Sequence, residues 1–297
     1  MYYDIHTLFP VVLKSVLLVA FIFLAQALCA QGFFTKENGF DAKAWVASKA
    51  SYIGTYPQFG TPEYLIDKAY YEAGLTMREN KEKNEIYTDI VNQAWENDIA
   101  CNSDNLAAYF SKKAGLGEID AKGKEILKGC LDDAYDINKY AKAYFHRPRP
   151  WFTFWGDGYI EDKGKIIYTG TKNGKELWEC VRGEDNNQFR SYPSGHSTTS
   201  YVAALCLCSL YPDKADAILS AANDFTMSRV VLGIHHKSDI DAAYRLAYCI
   251  FEDIRESSGF KAKLSNRVKK TFIMPKTNDT ETCFKGKLQE VSKNVQK

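Results

Sequence analysis

LKGCLDDAYDINKYAKAYFHRPRP, residues 127–150, is the stretch on which the fold class turns. Leu127, Cys130 with Leu131, Ala134, Ile137, Ala141 and Tyr144 recur at three- and four-residue steps, the stripe of an amphipathic helix. That helix must stop near Phe145, because Pro148 and Pro150 push Arg147 and Arg149 out of the α region. Working outward, the same period recurs. Thr61-Pro62 pairs an N-cap with a first-turn Pro and opens a helix upstream. Downstream, one helix is expected from about Ser197 to before Tyr211-Pro212, and another from Asp213 to about Leu232 with Gly233 as its stop. The last long helix is read as capped by Ser238, with Ile240, Ala243, Ala247, Phe251 and Ile254 on one side. The expectation is an all-α, single-domain helical bundle.

Residues 151–190 break the pattern. KIIYTG, TKNG and KELWECV read as a β-hairpin with Asn173-Gly174 at its tip, inside an insertion of the kind that often forms a lid. Trp151, Phe152, Trp155 and Trp178 give that insertion its aromatic character, and packing beneath it is their expected use.

The ends of the chain have a different composition. Lys14, the apolar run Ser15–Ala25, and the small residues Ala25, Ala27 and Ala30 follow the order of a secretory signal, with cleavage expected after Ala27 or Ala30. The apolar run is too short to span a bilayer, and Tyr201–Tyr211 has the length of a buried helix. Residues 1–30 are therefore expected as a signal peptide, 31–60 as a lead-in, 61–258 as the helical domain, and 259–297 as a solvated basic tail. From Lys261 onward that tail carries ten basic against three acidic residues. The whole chain balances 38 basic against 37 acidic residues, which excludes bulk-charge binding of nucleic acid as a specific function. After removal of residues 1–30, seven Cys remain, an odd number with no metal-type CxxC pair, so at least one thiol is free or intermolecular. Cys206 and Cys208 lie in an apolar run and read as core.

Three short blocks carry chemistry. Lys142 lies in the last turn of its helix with Arg149-Pro150 just beyond, a point charge and a fork suited to a tetrahedral oxyanion. Pro193-Ser194-Gly195-His196 precedes an apolar helix, where free backbone N–H groups and the helix dipole favour an anion. Ser228-Arg229 leads to His235, with Asp239 four residues later; a carboxylate there can hold one ring nitrogen as N–H and leave the other as a lone pair. Each block alone is ordinary: dipole compensation, a Ser-Gly helix entry, an acid in a first helical turn. Together they are not, since eleven specified residues stand at fixed spacing.

In that order, Lys-x6-Arg-Pro, Pro-Ser-Gly-His and Ser-Arg-x5-His-x3-Asp resemble the signature of the type 2 phosphatidic acid phosphatase superfamily, to which vanadium haloperoxidases are related. Between about Tyr64 and Phe251 the chain is similar to the secreted class A non-specific acid phosphatases of bacteria, through LIDKAYYEAGLTMR, DDAYDINKYAKAYFHRPRPWF, SYPSGHS and SRVVLGIHHKSDIDAA. The resemblance implies an all-helical, metal-independent phosphomonoesterase of broad substrate range, located in the periplasm or secreted and working through a phosphohistidine. It implies His235 as nucleophile, Asp239 as its orienter and His196 as general acid. Lys142, Arg149, Arg229, Ser194 and Gly195 would hold the phosphoryl oxygens. No cofactor is expected, and vanadate is expected to inhibit. His236 departs from the resemblance, since that class usually carries Trp there. Glu72 and Arg78 match family positions without a derivable role, and His146 is placed where it would pack at a helix end or reach the pocket.

Small phosphate monoesters are the expected partners, with no membrane span in the mature chain; a homo-oligomer stays open. Two alternatives share the pocket. A vanadate-dependent haloperoxidase is disfavoured because that family's chains are usually much longer. A lipid phosphate phosphatase is disfavoured because only one short apolar segment exists. If His235 must be neutral and His196 protonated, both starting near 6.5, a mildly acidic bell-shaped pH optimum follows.

Overall fold

A computed structural model describes residues 32–36, 39–154, 159–162, 165–168, 171–172, 175–176 and 189–265. The expected signal sequence, the expected hairpin tip, Trp155, Trp178, Cys180, Cys283 and the basic tail beyond residue 265 lie outside them.

Apart from two short antiparallel ladders in the insertion, the described chain has the expected all-α architecture. Its helices are α1 (Ala42–Ile53), α2 (Pro62–Glu79), α3 (Glu85–Glu96), α4 (Ser103–Ala114), α5 (Ala121–Phe145), the short α6 (Pro150–Thr153), α7 (Gly195–Leu210), α8 (Ala215–Val231), α9 (Lys237–Glu256) and α10 (Ser258–Ser265). Local chemistry sets the ends. Thr61 caps α2 through its hydroxyl, Asp120 caps α5, and Gly115 closes α4 in the left-handed region at φ 63°.

Helix α7 is the axis of the bundle, packed against α5, α8 and α9. Every residue from Ser197 to Ser209 is buried, so this helix presents no polar face, as expected of a core helix. Two of its hydroxyls turn back on the local backbone: Thr198 Oγ1 donates to Ser194 O at 2.9 Å and Ser209 Oγ to Leu205 O at 3.1 Å.

Helices α1 and α10 extend the bundle past 61–258. Val46 and Ile53 of α1 and Phe260 of α10 are buried in the same core. Phe33 meets Phe260 edge to face at 5.4 Å. The segment before α1 is tied to the middle of α5 by Asp133. This buried carboxylate accepts the backbone N–H of Phe33 at 2.7 Å and of Thr35 at 3.0 Å, and the Thr35 hydroxyl at 2.6 Å.

Two readings need correction. The cap of α9 is His236, not Ser238: Asp239 reaches back to the His236 N–H at 2.8 Å, while Ser238 sits inside the helix with its N–H on Asp67 at 2.8 Å. In the insertion, the strand Lys165–Tyr168 pairs antiparallel with Tyr159–Asp162 upstream, not with the segment from Lys175. Thr171–Lys172 pairs with Lys175–Glu176 as a separate two-residue ladder. Among the described residues Cys101, Cys130, Cys206, Cys208 and Cys249 are free thiols.

Candidate active site

Helix ends bring the three blocks together. Lys142 lies in the last turn of α5, buried, with Nζ donating to Arg190 O at 2.8 Å. Burial, and then the nearby Arg149 charge, pull its pKa well below the ordinary lysine value. His146 ends the helix at φ 53° and turns the chain away. The following segment then runs antiparallel to residues 190–191: Pro148 bridges Arg190, and Ser191 N–H donates to Arg147 O at 2.6 Å.

Arg149 leaves this segment and donates through Nη1 to Ile234 O at 2.9 Å, with the same nitrogen 2.6 Å from His235 Nε2. Across from it, Ser194 caps α7 by accepting from Ser197 N–H at 3.3 Å and donates its own N–H to Asp239 O at 3.1 Å. The next residue must be small. A Cβ at Gly195 would stand 3.1 Å from Asn138 Oδ1 and 3.6 Å from Lys142 Cε, so glycine lets the α7 N-terminus approach Lys142.

Arg229, in the last turn of α8, is buried and paired with Asp98 Oδ1 at 2.5 Å. Its carbonyl accepts from Ile234 N at 3.0 Å and His235 N at 3.2 Å, folding residues 230–235 into a tight return in which Gly233 has φ 69°. Arg78 of α2 clasps this return. It donates to Val231 O, and a Cβ on Gly233 would lie 2.8 Å from its Nη2. Arg78 thereby gains a role: it fixes the chain entering His235. Glu72 stays outside the site, paired with Lys68 on the surface of α2.

His235 and Asp239 are buried together. His235 Nδ1 lies 3.2 Å from Asp239 Oδ2. The other ring nitrogen faces the Arg149 guanidinium, a group with N–H donors and no lone pair to offer. The proton therefore belongs on Nδ1 and the lone pair on Nε2. Burial, reinforced by Arg149, drives the His235 pKa well below 6.5, against the pull of Asp239.

Asp239 also carries Arg147, whose Nη1 donates to Oδ1 at 2.7 Å while Nη2 donates to Asp67 at 2.8 Å. Burial alone would raise the Asp239 carboxyl, but Arg147 and the two neighbouring imidazoles hold it well below the usual carboxylate range. The acid in the first turn of α9 thus serves the helix and His235 at once.

His196, one residue into α7, is half-buried. Burial first, then Arg229, Arg149 and Lys142, lower its pKa to about 4, with Asp98 pulling the other way. The structure therefore gathers Lys142, Arg149, Arg229, His196, His235 and Asp239 around the N-terminus of α7, where an anion would be welcome. The sequence reading missed Arg147, Asp67, Asp98 and Ser191. Arg147 is the first of two Arg-Pro pairs, and Asp67 and Ser191 lie inside the LIDKAYYEAGLTMR and SYPSGHS blocks.

Among the described residues no group of three or more His, Cys, Asp or Glu converges as a metal site would require, and no helix is long and apolar enough to cross a membrane.

Residues 127–252 match the family model described as the PAP2 superfamily. The chain is 30% identical over 212 residues to a non-specific acid phosphatase of Providencia stuartii, covering 70% of this chain and 74% of that one. It is 27% identical over 222 residues to a non-specific acid phosphatase of Salmonella typhimurium, covering 72% and 76% of the two chains. An acid phosphatase of Zymomonas mobilis is 47% identical over 122 residues, 41% of this chain and 39% of that one.

Proposed function

We propose a two-step mechanism for a chain that belongs to the PAP2 superfamily and is an acid phosphatase, a phosphoric monoester hydrolase: transfer of the phosphoryl group to His235, then hydrolysis of the phosphohistidine. In the first step the Nε2 lone pair attacks phosphorus as the ester P–O bond breaks. Positive charge developing on the ring is carried through Nδ1–H to Asp239. His196, as the acid, gives its proton to the leaving alkoxide. In the second step the neutral His196 takes a proton from water, the water oxygen attacks phosphorus, and the P–N bond breaks to free His235 and inorganic phosphate.

Lys142, Arg149 and Arg229 hold the phosphoryl oxygens with the α7 N-terminus, including the Gly195 backbone; Ser194 shapes that terminus as its cap. Phosphoryl transfer asks mainly for positioning and charge stabilisation, which such a cage supplies without a metal. On binding, Arg149 Nη1 moves its hydrogen bond from Nε2 to a phosphoryl oxygen and uncovers the nucleophile. The converging groups all address the phosphoryl end of a substrate, which favours a broad range of small phosphate monoesters. The basic residue, apolar run and small residues in the sequence of 1–30, in the order of a secretory signal, support export to the periplasm or beyond.

The observation that carries this reading is the placement of the His235 ring, with Nδ1 3.2 Å from the Asp239 carboxylate and Nε2 2.6 Å from Arg149. The test is hydrolysis of p-nitrophenyl phosphate at acid pH by wild type and His235→Ala, with chelator and with vanadate. Activity that resists chelator, falls with vanadate and is lost in His235→Ala is expected. Activity that dies with chelator and survives His235→Ala would overturn the mechanism.

A further inference from the structure

A second imidazole stands beside His235, and the two-step reaction makes no use of it. His236 is buried at the entry of α9, with Nδ1 3.1 Å from Asp239 Oδ2 and 3.1 Å from Ser191 Oγ. Among the described residues its buried Nε2 has no hydrogen-bond partner, and its ring packs edge-on against Phe154 at 5.3 Å. A proton on Nε2 would have no acceptor, so the proton sits on Nδ1 and points at Asp239. A buried lone pair without a partner is costly, and a hydrocarbon ring would fill the space without that cost. What His236 offers over such a ring is the Nδ1–H.

That N–H enters a crowded place. Oδ2 of Asp239 faces His236 N–H at 2.8 Å, the Ser191 hydroxyl, His235 Nδ1 at 3.2 Å and His236 Nδ1 at 3.1 Å. A carboxylate oxygen has about two lone-pair directions, so these donors compete for one acceptor. Each additional donor withdraws charge from Oδ2 and leaves less to stabilise a protonated His235.

We propose that His236 is a positioning residue that, by donating to Asp239 Oδ2, weakens the hold of that carboxylate on His235 and keeps the His235 ring unprotonated and nucleophilic in acid. The proposal rests on the two-step reading. The charged groups involved are Arg149 and Lys142 facing His235, Arg147 and Asp67 facing His236, and Asp239 between the rings. Removing the Nδ1–H leaves more of the Asp239 charge for His235. The His235 pKa then rises, and the acid limb of kcat/KM, where His235 becomes protonated in the free enzyme, moves to higher pH.

The test measures kcat/KM for p-nitrophenyl phosphate against pH, and titrates the His235 ring by NMR with labelled histidine, in wild type, His236→Phe and His236→Asn. In His236→Phe both midpoints are expected to rise by roughly 0.5–1 pH unit, the size of one lost hydrogen bond. In His236→Asn the side-chain amide N–H replaces Nδ1–H, and both midpoints stay near wild type. A Phe variant that leaves them in place, or Phe and Asn variants that move them alike, would overturn the proposal. Ser191→Ala removes another donor to the same oxygen and must shift His235 in the same direction, a test that stands if His236→Phe does not fold; no shift there also defeats it. A wild type inactive at every pH would sink the two-step reading instead, while the NMR titration still decides the role of His236.

Discussion

Arg149 Nη1 and His235 Nε2 stand 2.6 Å apart, so the group proposed to grip the phosphoryl oxygens also covers the nitrogen proposed to attack them. One guanidinium nitrogen serves both Ile234 O and the ring, and the planar fork is what would let the side chain grip two phosphoryl oxygens at once. Arg149→Lys keeps the charge and loses that fork. A fall in kcat/KM of roughly 10²–10³-fold is expected, with the melting temperature little changed. A near-wild-type rate in Arg149→Lys would mean that charge alone suffices at this position.

Asp239→Asn probes both the chemistry and the fold. The carboxylate balances the buried Arg147, and its loss leaves that guanidinium with Asp67 as its remaining carboxylate partner. Breaking a buried pair costs about 3–5 kcal/mol, readable as a lower urea midpoint. The amide also lacks the charge that supports a protonated ring, so kcat should fall by roughly 10³–10⁴-fold, as for orienting carboxylates elsewhere. Wild-type stability in the variant would show that Asp67 carries Arg147 alone.

The sign of the pH effect at His196 is fixed by its neighbours. Its pKa is lowered to about 4 by burial and by Arg229, Arg149 and Lys142, so in the free protein it loses its proton as pH rises through that value. A bound phosphate adds negative charge beside it and must raise the midpoint. By linkage, phosphate binds more tightly as pH falls through the window between the free and bound midpoints. NMR titration of His196 with and without saturating inorganic phosphate checks this, and an unmoved midpoint would remove His196 from the anion's surroundings.

Asp98 acts in the opposite direction. It occupies Arg229 Nη1 at 2.5 Å and raises the His196 pKa. Asp98→Asn frees Arg229 for the anion and removes a repulsive charge. An inorganic phosphate affinity tighter by roughly 3–10-fold is expected, together with a lower His196 midpoint. Weaker binding in this variant would make Asp98 a support for Arg229 rather than its competitor.

Much of the site was legible because it is built at helix ends. Lys142, Arg149, His196, Arg229 and His235 each lie within a few residues of a terminus, and the Pro, Gly and Ser residues that make such termini leave a sequence trace. Their supports left little. Asp67 meets Ser238 across 171 positions and Arg78 meets Val231 across 153, contacts decided by how α2 lies on α8 and α9. The Ser238 cap was misread because Ser is a favoured cap and His is not, whereas the start is set by the Asp239 side chain folded back on the His236 N–H and by Asp67 holding the Ser238 N–H. The strand partner of Lys165–Tyr168 was misassigned because Asn173-Gly174 marks a turn without fixing how far its ladder runs.

The Asp133 clamp sets a boundary on how this chain can be shortened. Its carboxylate is desolvated in the middle of the helix that carries Lys142, and its donors come from residues 33–35. Trimming up to residue 31 leaves those donors in place. Trimming four residues further strips an ionised group in the bundle interior of its solvation substitutes, so tolerance to proteases at this end should stop abruptly rather than fade.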